Sequence, residues 1–280
     1  MITALARALV DLLLPAPCGG CDAVVEPGVG LCPTCRRDLA RPVPAPDLPG
    51  LPPAVALAPY RGTPRRAVIA YKERGRRDLA DPLAVALAAA LDDLLPDAGC
   101  VLVPAPSRRG AARSRGGDHM LRLARAVAAR TGHPVLPALA LSRGARDSVG
   151  LDAAARAANL AAHLRVRPGV GSHPVVGLRS AASPTGRTVV LLDDVLTTGA
   201  TALACSRALA GVGLPVALVL VLAAVGARRP VVPGGRIPRD GVTRTGDPPP
   251  PGALRTRGDG LRPPTRRSPA RHLPAIRPNR

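Results

Sequence analysis

Two groups of residues in this sequence have the types and the spacing to do chemistry. One is an adjacent pair of acids followed by hydroxyl-rich residues, in the segment LLDDVLTTGAT at 191–201. The other is a set of four cysteines, arranged as two CxxC pairs near the N-terminus. Carboxylates beside hydroxyls and a glycine suit a sugar phosphate or a hydrated Mg²⁺. Paired cysteines suit a metal such as zinc.

The stretch after the acid pair is predicted to bind phosphate. Residues 188–192 are an apolar run typical of a buried parallel strand, and a helical pattern begins at 200. A loop between such elements offers free backbone N–H groups, the positive end of a helix dipole and, in this sequence, threonine hydroxyls. The predicted phosphate loop consists of Thr197, Thr198, Gly199, Ala200 and Thr201.

The acids themselves, Asp193 and Asp194, need a different partner, because carboxylates repel a phosphate. They suit groups next to it, either hydroxyls that donate hydrogen bonds or a hydrated Mg²⁺. A phosphate beside a diol indicates a ribose 5-phosphate, and a nearby cation indicates a further phosphate group. The alternative is a solvated turn in which an Asp caps the helix and no ligand binds.

The four cysteines are predicted to hold one structural zinc. Each CxxC closes a turn around a single ion, and the ten residues between the pairs are enough for the chain to double back. Four protein ligands close the site, so it is not catalytic. The alternatives are a redox CxxC, which normally occurs once, and two disulfides, which fit an exported protein. The predicted ligands are Cys18, Cys21, Cys32 and Cys35.

Composition narrows the class of protein. The chain has 280 residues and a formal net charge of +20, and Lys72 is its single lysine. Because arginine is so common in this chain, the position of most individual arginines says little about function. The single lysine, Lys72, is a stronger candidate for a functional role. The absence of Phe and Trp argues against nucleic-acid binding by aromatic stacking. No apolar stretch is long enough to span a membrane, and Asp11 interrupts the only candidate signal peptide, so we expect a cytoplasmic protein.

The elements that must position these residues alternate between strands and helices, which predicts an α/β fold with a parallel sheet covered on both faces. The predicted helices cover about 63–75, 81–95, 118–130, 152–164 and 200–210, and the predicted strands cover about 100–103, 135, 188–192 and 215–222. Capping signals support several helices, among them Thr63, Asp81 and Asp152 at their starts and Gly132 at an end.

Four segments are predicted along the chain. Residues 1–40 form an N-terminal helix with a small zinc-ribbon-like module, 41–56 a Pro-rich linker, and 57–226 the α/β domain. Residues 227–280 contain 13 Arg, 3 Asp and 12 Pro, a composition that predicts a disordered basic tail. The alternative for the tail is an arm that attracts nucleic acid.

The segment VVLLDDVLTTGAT at 189–201 resembles the signature of type I phosphoribosyltransferases, which bind phosphoribosyl pyrophosphate (PRPP). In that family the two acids contact the ribose hydroxyls and the loop holds the 5-phosphate. The resemblance therefore implies the first role for Asp193 and Asp194 and the second for residues 197–201. It also implies that Mg²⁺ binds together with PRPP and that the parallel sheet has the topology of that family.

A four-cysteine module ahead of such a domain resembles the ComF family, which includes ComF-type competence proteins and GntX-type proteins. The resemblance covers about residues 8–226. Lys72 lies in a stretch similar to the short lysine-containing motif of the family, which implies a place for it among the catalytic residues with the acid pair. The stretch VLVPAP at 101–106 resembles the strand and loop that follow.

Transfer of the phosphoribosyl group requires that the leaving pyrophosphate be neutralised and the acceptor held in place. Mg²⁺ does part of this, and cations in the loop after the 101–103 strand can do the rest. These candidates for pyrophosphate binding, whose alternative is a solvated basic turn, are Arg108, Arg109, Arg113 and Arg115.

The chain departs from the family after Arg115, where an aromatic residue, Asn and Gln are replaced by Gly117, Asp118 and His119. These positions concern pyrophosphate or the acceptor, so the resemblance implies PRPP binding more strongly than turnover. Two residues available as general bases, His119 and His163, are interpreted as surface or structural histidines.

Two functions follow from the sequence. The first is a PRPP-dependent transferase that acts on an unidentified base and releases pyrophosphate. The second is a non-enzymatic accessory factor in DNA uptake, competence or DNA processing, with PRPP or a nucleotide as its ligand. Its expected partners are single-stranded DNA or DNA-uptake proteins.

Overall fold

The structure is a computed structural model that describes residues 17–96, 99–107, 117–142, 159–160, 162–170 and 187–228. All of these belong to the unit Met1–Val232, one of two into which the chain divides. Several predictions therefore lie outside the described residues. They concern the four arginines between 108 and 115, the first half of the 152–164 helix and the tail beyond 228.

A five-stranded sheet forms the centre of the described structure, in the order β1-β2-β7-β6-β3. Its strands are β1 (Val43–Pro44), β2 (Ala54–Pro59), β3 (Cys100–Pro104), β6 (Thr188–Leu196) and β7 (Val216–Ala224). The four longer strands are parallel, and β1 is antiparallel to β2. A separate antiparallel pair consists of β4 (Leu139–Leu141) and β5 (Leu164–Val166). Apolar runs such as VALVLVLAA in β7 fit a sheet that is buried on both faces.

Five helices have both ends within the described residues: α1 (Pro33–Leu39), α2 (Gly62–Lys72), α3 (Ala80–Leu94), α4 (His119–Thr131) and α5 (Ala200–Ala210). Residues 159–160 and 162–163 are also helical. The predicted start of α4 near Asp118 and its predicted end at Gly132 are confirmed. The Asp118 side chain accepts hydrogen bonds from the first backbone N–H groups of the helix, and Gly132, at a φ of 72°, ends it. The predicted caps Thr63 and Asp81 are wrong. Thr63 lies inside α2, which has Arg61 at its N-cap position, and Asp81 lies inside α3, because a short 3-10 helix, Arg77–Leu79, leads directly into that helix.

The two faces of the sheet have separate apolar cores. Helices α2, α3 and α4 cover the first face, together with α1 and the cysteine module, over side chains such as Leu102, Val190 and Leu192. Helix α5 and the β4–β5 pair cover the second face, over side chains such as Val103 and Leu191. The predicted α/β class, a mainly parallel sheet flanked by helices, is therefore confirmed.

The connections change direction between β3 and β6, which are neighbours in the sheet. After β3 the chain passes through α4 on the first face to Val135, which bridges to Leu102 on the side of β3 away from β6. After β6 it passes through α5 on the second face to β7. A switch of this kind leaves a crevice outside the carboxyl ends of the two strands, where α/β sheets bind ligands.

Residues 41–56, expected to form a linker, contribute β1 and the start of β2 to the sheet. Between these strands, Leu48 and Leu51 pack against Gly199, the glycine of the predicted phosphate loop. A Cβ atom on Gly199 would lie 2.6 Å from the Leu48 Cδ1 atom, and the residue has a φ of 76°. Glycine is thus required at this position both by the left-handed backbone and by the close approach of this segment.

Candidate functional site

The acid pair lies where β6 extends beyond its neighbour β3. Pairing with β3 ends at Leu192, opposite Pro104, whereas pairing with β7 continues from Asp193 through Leu196. The sequence placed the acids just after the strand, and the structure places them within it. Because β3 is absent beside them, the two residues border the crevice between β3 and β6.

Adjacent residues of a strand point to opposite faces of the sheet, so Asp193 and Asp194 do not share one environment. Asp194 follows Leu192 on the first face, where it contacts groups from α2 and α4, and it is only 4% exposed. By the same alternation Asp193 follows Leu191 on the second face, and it is partly exposed. The two acids, which are adjacent in the sequence, therefore lie in two different environments.

Asp194 is held by two basic side chains. The Lys72 Nζ atom lies 2.9 Å from its Oδ1 atom, and the His119 Nε2 atom lies 2.7 Å from its Oδ2 atom. Lys72 is the last residue of α2 and His119 is the first residue of α4, so two helices meet at one carboxyl group. Burial alone would raise the pKa of Asp194, but the hydrogen bond from His119 and the charge of Lys72 lower it to about 2.

Asp193 has the opposite electrostatics. Its Oδ1 atom accepts a hydrogen bond of 2.8 Å from the backbone N–H of Asp194. Burial, followed by the negative charge of Asp194, raises the pKa of Asp193 to about 7, although Lys72 opposes the shift. The surroundings therefore push the two pKa values apart, lowering that of Asp194 and raising that of Asp193, and acid–base sites are built on such a division.

Further hydrogen bonds connect His119 to the loop after β3. The Ser107 Oγ atom lies 3.1 Å from the His119 Nδ1 atom and 3.0 Å from the Asp118 Oδ1 atom. The Tyr71 hydroxyl donates to the backbone carbonyl of His119 at 2.7 Å, and burial raises the pKa of Tyr71 to about 12. Asp118 and His119, where the chain departs from the ComF pattern, thus belong to the hydrogen-bond network of the acid pair.

The predicted phosphate loop lies directly after the acids. Thr197 and Thr198 are exposed, and Gly199 is the N-cap of α5, with no side chain to satisfy the first N–H groups of that helix. The loop therefore presents hydroxyls and unpaired helix N–H groups at the carboxyl end of β6. These are the groups that the sequence analysis assigned to a phosphate.

Of the residues predicted from the sequence, the structure brings together Lys72, the two acids and the phosphate loop. The sequence predicted a surface or structural role for His119, whereas its ring contacts Asp194. One signal pointed to it, because His119 opens the helix that follows β3 and so had to lie at the same sheet edge as the acids. His163 lies elsewhere, in the β4–β5 region, with its Nδ1 atom 3.0 Å from the Ser142 Oγ atom.

The four cysteines form one cluster, as their spacing predicted. Their sulfur atoms all lie within 4.8 Å of one another, and those of Cys21 and Cys32 are 3.6 Å apart. Sulfurs at the corners of a tetrahedron around zinc lie about 3.8 Å apart, given a Zn–S distance of about 2.3 Å. The described residues form no disulfide at these positions. The cluster can therefore hold a metal ion such as zinc.

The pKa shifts of the cysteine thiols are those of a cluster that a bound cation would stabilise. Burial would raise the pKa of Cys18, but the backbone N–H groups of Cys32 and Gly20 donate to its sulfur and lower the pKa to about 6. Burial and the neighbouring sulfurs raise the pKa of Cys35. The sulfurs compete for negative charge, and a bound metal removes that competition, since it binds all of them as thiolates.

The cysteine module packs directly on the N-terminal half of α2. The Arg66 side chain donates to the carbonyl of Gly20, and a Cβ atom on Gly20 would lie 2.6 Å from the Thr63 methyl group. Cys18 and Cys35 belong to the core of the first face. Helix α2 therefore contacts the cysteine cluster near its first turn and the acid pair at its last residue, Lys72.

Among the residues that the structure describes, no helix is both long and apolar enough to cross a membrane. Comparison with known proteins gives no independent assignment of function. No protein-family model matches this chain, and no curated protein matches it.

Proposed function

We propose that the domain binds PRPP together with Mg²⁺ in the crevice between β3 and β6, as a phosphoribosyltransferase-like protein of the ComF type. One observation carries the proposal. An acid pair at the carboxyl end of β6, at the switch point of the sheet, is followed at once by exposed threonines and an uncapped helix N-terminus. A sugar phosphate matches both halves of that arrangement.

Each group of the ligand has a candidate partner. The 5-phosphate accepts hydrogen bonds from the backbone N–H groups of residues 198–201 and from the threonine hydroxyls. The ribose hydroxyls donate to Asp193, which is more accessible than Asp194. Lys72 is 37% exposed while it contacts Asp194, so its ammonium group adds positive charge beside the pyrophosphate. The arginines between 108 and 115 stay candidates for the same charge.

In the transfer reaction, the bond from C1 of the ribose to pyrophosphate breaks and a nitrogen of the acceptor base forms the new bond to C1. The electron pair of the broken bond leaves with pyrophosphate, so the protein has to stabilise that charge rather than supply a nucleophile. Bound Mg²⁺ would supply part of this stabilisation. The crevice would hold the acceptor and C1 in line.

We infer that the cysteine cluster holds one structural zinc. Four sulfur ligands close the coordination shell, so the metal would stabilise the module rather than take part in transfer. The second candidate function is an accessory factor in DNA uptake or processing that uses PRPP or a nucleotide as its ligand. The net charge of +20 favours it, because such a charge attracts phosphate polymers.

Calorimetry with PRPP, in the presence and absence of Mg²⁺, tests the binding proposal. The variant Asp193→Asn should bind PRPP about tenfold more weakly, the value of one hydrogen bond to a charged group. Asp92 and Asp93, an exposed adjacent acid pair at the end of α3, provide the matched control. Their double replacement by Asn should leave the affinity unchanged.

The absence of Mg²⁺-dependent PRPP binding to the wild-type protein would refute the proposed function. An equal loss of affinity in the Asp92/Asp93 control would show that general charge, rather than the acid pair, attracts the ligand. Release of pyrophosphate in the presence of a panel of nucleobases then separates the two functions. A transferase releases it with one class of base, and an accessory factor binds PRPP without releasing it.

A further inference from the structure

We propose that Leu48 and Leu51 are positioning residues of the phosphate loop, which hold the start of α5 in place without occupying its N–H groups. They belong to the segment LPGL at 48–51, the LPGL turn, within the stretch that the sequence analysis assigned to a linker. The ligand readout of this inference rests on the proposed function, whereas the packing of the turn on α5 is measured without any ligand.

The LPGL turn has the sequence of a tight β-turn. Its backbone closes with a hydrogen bond of 3.0 Å from the Leu51 N–H to the Leu48 carbonyl. Pro49 and Gly50 occupy the two central positions, and Gly50 has a φ of 75°, as the third residue of a type II turn requires. The first and last residues of such a turn lie within about 7 Å of each other. The turn therefore places the two leucines side by side.

Both leucines meet the main chain of the phosphate loop at Gly199. A Cβ atom on Gly199 would lie 2.6 Å from the Leu48 Cδ1 atom and 3.7 Å from the Leu51 Cδ2 atom. Gly199 is buried, although the two threonines before it are exposed. The leucines thus cover the loop on the side where another residue would carry its side chain, and the threonines stay accessible.

The turn also reaches the end of the first helical turn of α5. Leu203 is the fourth residue of that helix, and its N–H donates to the Gly199 carbonyl at 2.8 Å. A Cβ atom on Gly50 would lie 3.7 Å from the Leu203 Cδ1 atom, which is ordinary packing distance. The LPGL turn therefore contacts both residues of this hydrogen bond. Apolar contacts at these two positions are known to fix the entry of a chain into a helix.

Support of this kind suits a helix start that has to bind an anion. Most helix starts are secured by a side chain that accepts hydrogen bonds from the first N–H groups, but no described side chain caps α5. A capping side chain would occupy N–H groups that a phosphate needs. Apolar packing fixes the same backbone and leaves those groups available. A loop that is ordered before the ligand arrives binds it more tightly, because less ordering is left to oppose binding.

The packing is tested without ligand by amide hydrogen exchange, measured by NMR. Leu48→Ala should speed the exchange of the Leu203 amide about tenfold, because the first turn of α5 opens more often when its packing is lost. Amides in the second half of α5 should keep their rates, since the LPGL turn supports the start of the helix. An unchanged rate at Leu203 would overturn the proposal, and so would an equal increase along the whole helix.

The positioning role is tested by calorimetry with PRPP, at a temperature where every variant is folded. Leu48→Ala should bind PRPP about tenfold more weakly, the value of one hydrogen bond to a charged group. Leu48→Met, which nearly conserves the volume, should restore the affinity. Leu95 provides the matched control, because it is also half-buried and lies just before β3, at the opposite edge of the sheet. Leu95→Ala removes the same atoms and should leave the PRPP affinity unchanged.

Two results with the ligand would overturn the role of the leucines. One is an equal loss of affinity in Leu48→Ala and Leu95→Ala, which would reflect general stability. The other is an unchanged affinity of Leu48→Ala when the wild-type protein binds PRPP. The absence of PRPP binding to the wild-type protein would refute the proposed function instead, and the exchange of the Leu203 amide would still decide whether the LPGL turn holds the start of α5.

Discussion

The cysteine cluster and the acid pair lie near opposite ends of helix α2, and each gathers like-charged groups into a small volume. Four sulfurs lie within 4.8 Å of one another in the first cluster, and two carboxyl groups follow each other in the second. Arg76 interacts electrostatically with Cys18, but its guanidinium group donates to both carboxylate oxygens of Asp78. Asp194, in contrast, contacts both Lys72 and His119.

This difference shows two ways to stabilise concentrated negative charge. In the proposed zinc site, the cysteine cluster would take its cation from solution, and its folding and metal binding would then be one equilibrium. The acid pair carries its own cations, so Asp194 is stable without a ligand. In the part of the chain that the structure describes, no cation contacts Asp193 directly, and the distant charge of Lys72 does not prevent the rise of its pKa, which leaves the acid available for a hydroxyl or a metal ion.

The largest expected effect is on the metal-dependent cluster. Cys32→Ser removes one of four ligands but leaves a good N-cap for α1, so loss of the ligand alone should abolish a metal content of about one equivalent. Limited proteolysis should then cut within residues 17–35. The buried Cys205 provides the control, since Cys205→Ala should retain the metal. Full metal content in Cys32→Ser, or iron–sulfur absorbance in the wild-type protein, would contradict this prediction.

The next largest effect is expected at Asp194, which contacts Lys72 and His119. Asp194→Asn leaves Lys72 and a buried His119 without their carboxylate and should lower the free energy of unfolding by about 3 kcal/mol. The matched control is Asp81, whose ion pair with Arg130 is on the surface, so that Asp81→Asn should cost less than about 1 kcal/mol. Urea unfolding measures both, and equal losses would show that Asp194 has no special place in the fold.

Asp193→Asn should have the opposite effect and raise the free energy of unfolding. Its folded pKa of about 7 is above the unfolded value, so the folded protein binds more protons between about pH 4 and 7 and loses stability as the pH rises. Replacement by Asn removes this loss and should stabilise the protein at pH 8 by about 2 kcal/mol, with little change at pH 4. Unfolding at both pH values tests it, and a destabilised variant at pH 8 would contradict the raised pKa.

The smallest effect is expected from the basic tail. Ala227 is buried in the core of the second face, so the truncation is placed after Arg228. The shortened protein should keep its melting temperature, its metal and its PRPP affinity, since both clusters lie in the domain. Its affinity for DNA should fall and depend less steeply on salt, because the removed residues 229–280 contain twelve arginines. Failure to fold would place the tail within the domain.

Local patterns in the sequence were enough to predict the residues of both clusters. The CxxC spacing and the sequence of acids, threonines and glycine are each contained within a few residues. Gly132, which ends α4, also acts on the chain next to it and was predicted correctly. Interactions of this short range depend little on the rest of the fold.

The parts that the sequence did not reveal depend on distant contacts. Lys72 is 122 residues from Asp194 and His119 is 75 residues from it, and no periodicity links such positions. The strands β1, β4 and β5 are only two or three residues long, too short to give an alternating pattern. Residues 41–56 are rich in Pro, which indicates a linker, yet Pro44 is tolerated because β1 is an edge strand.

The contact between Lys72 and Asp194 has a practical consequence for anyone who labels this protein. Lys72 is the only lysine of the chain, so a reagent that acylates amines has a single side-chain target, at the border of the crevice. Burial lowers the pKa of this amine, but the neighbouring carboxylates outweigh it and raise the pKa, which slows acylation. A change in the rate at which that one peptide gains mass would therefore report what happens at the crevice, without an engineered probe.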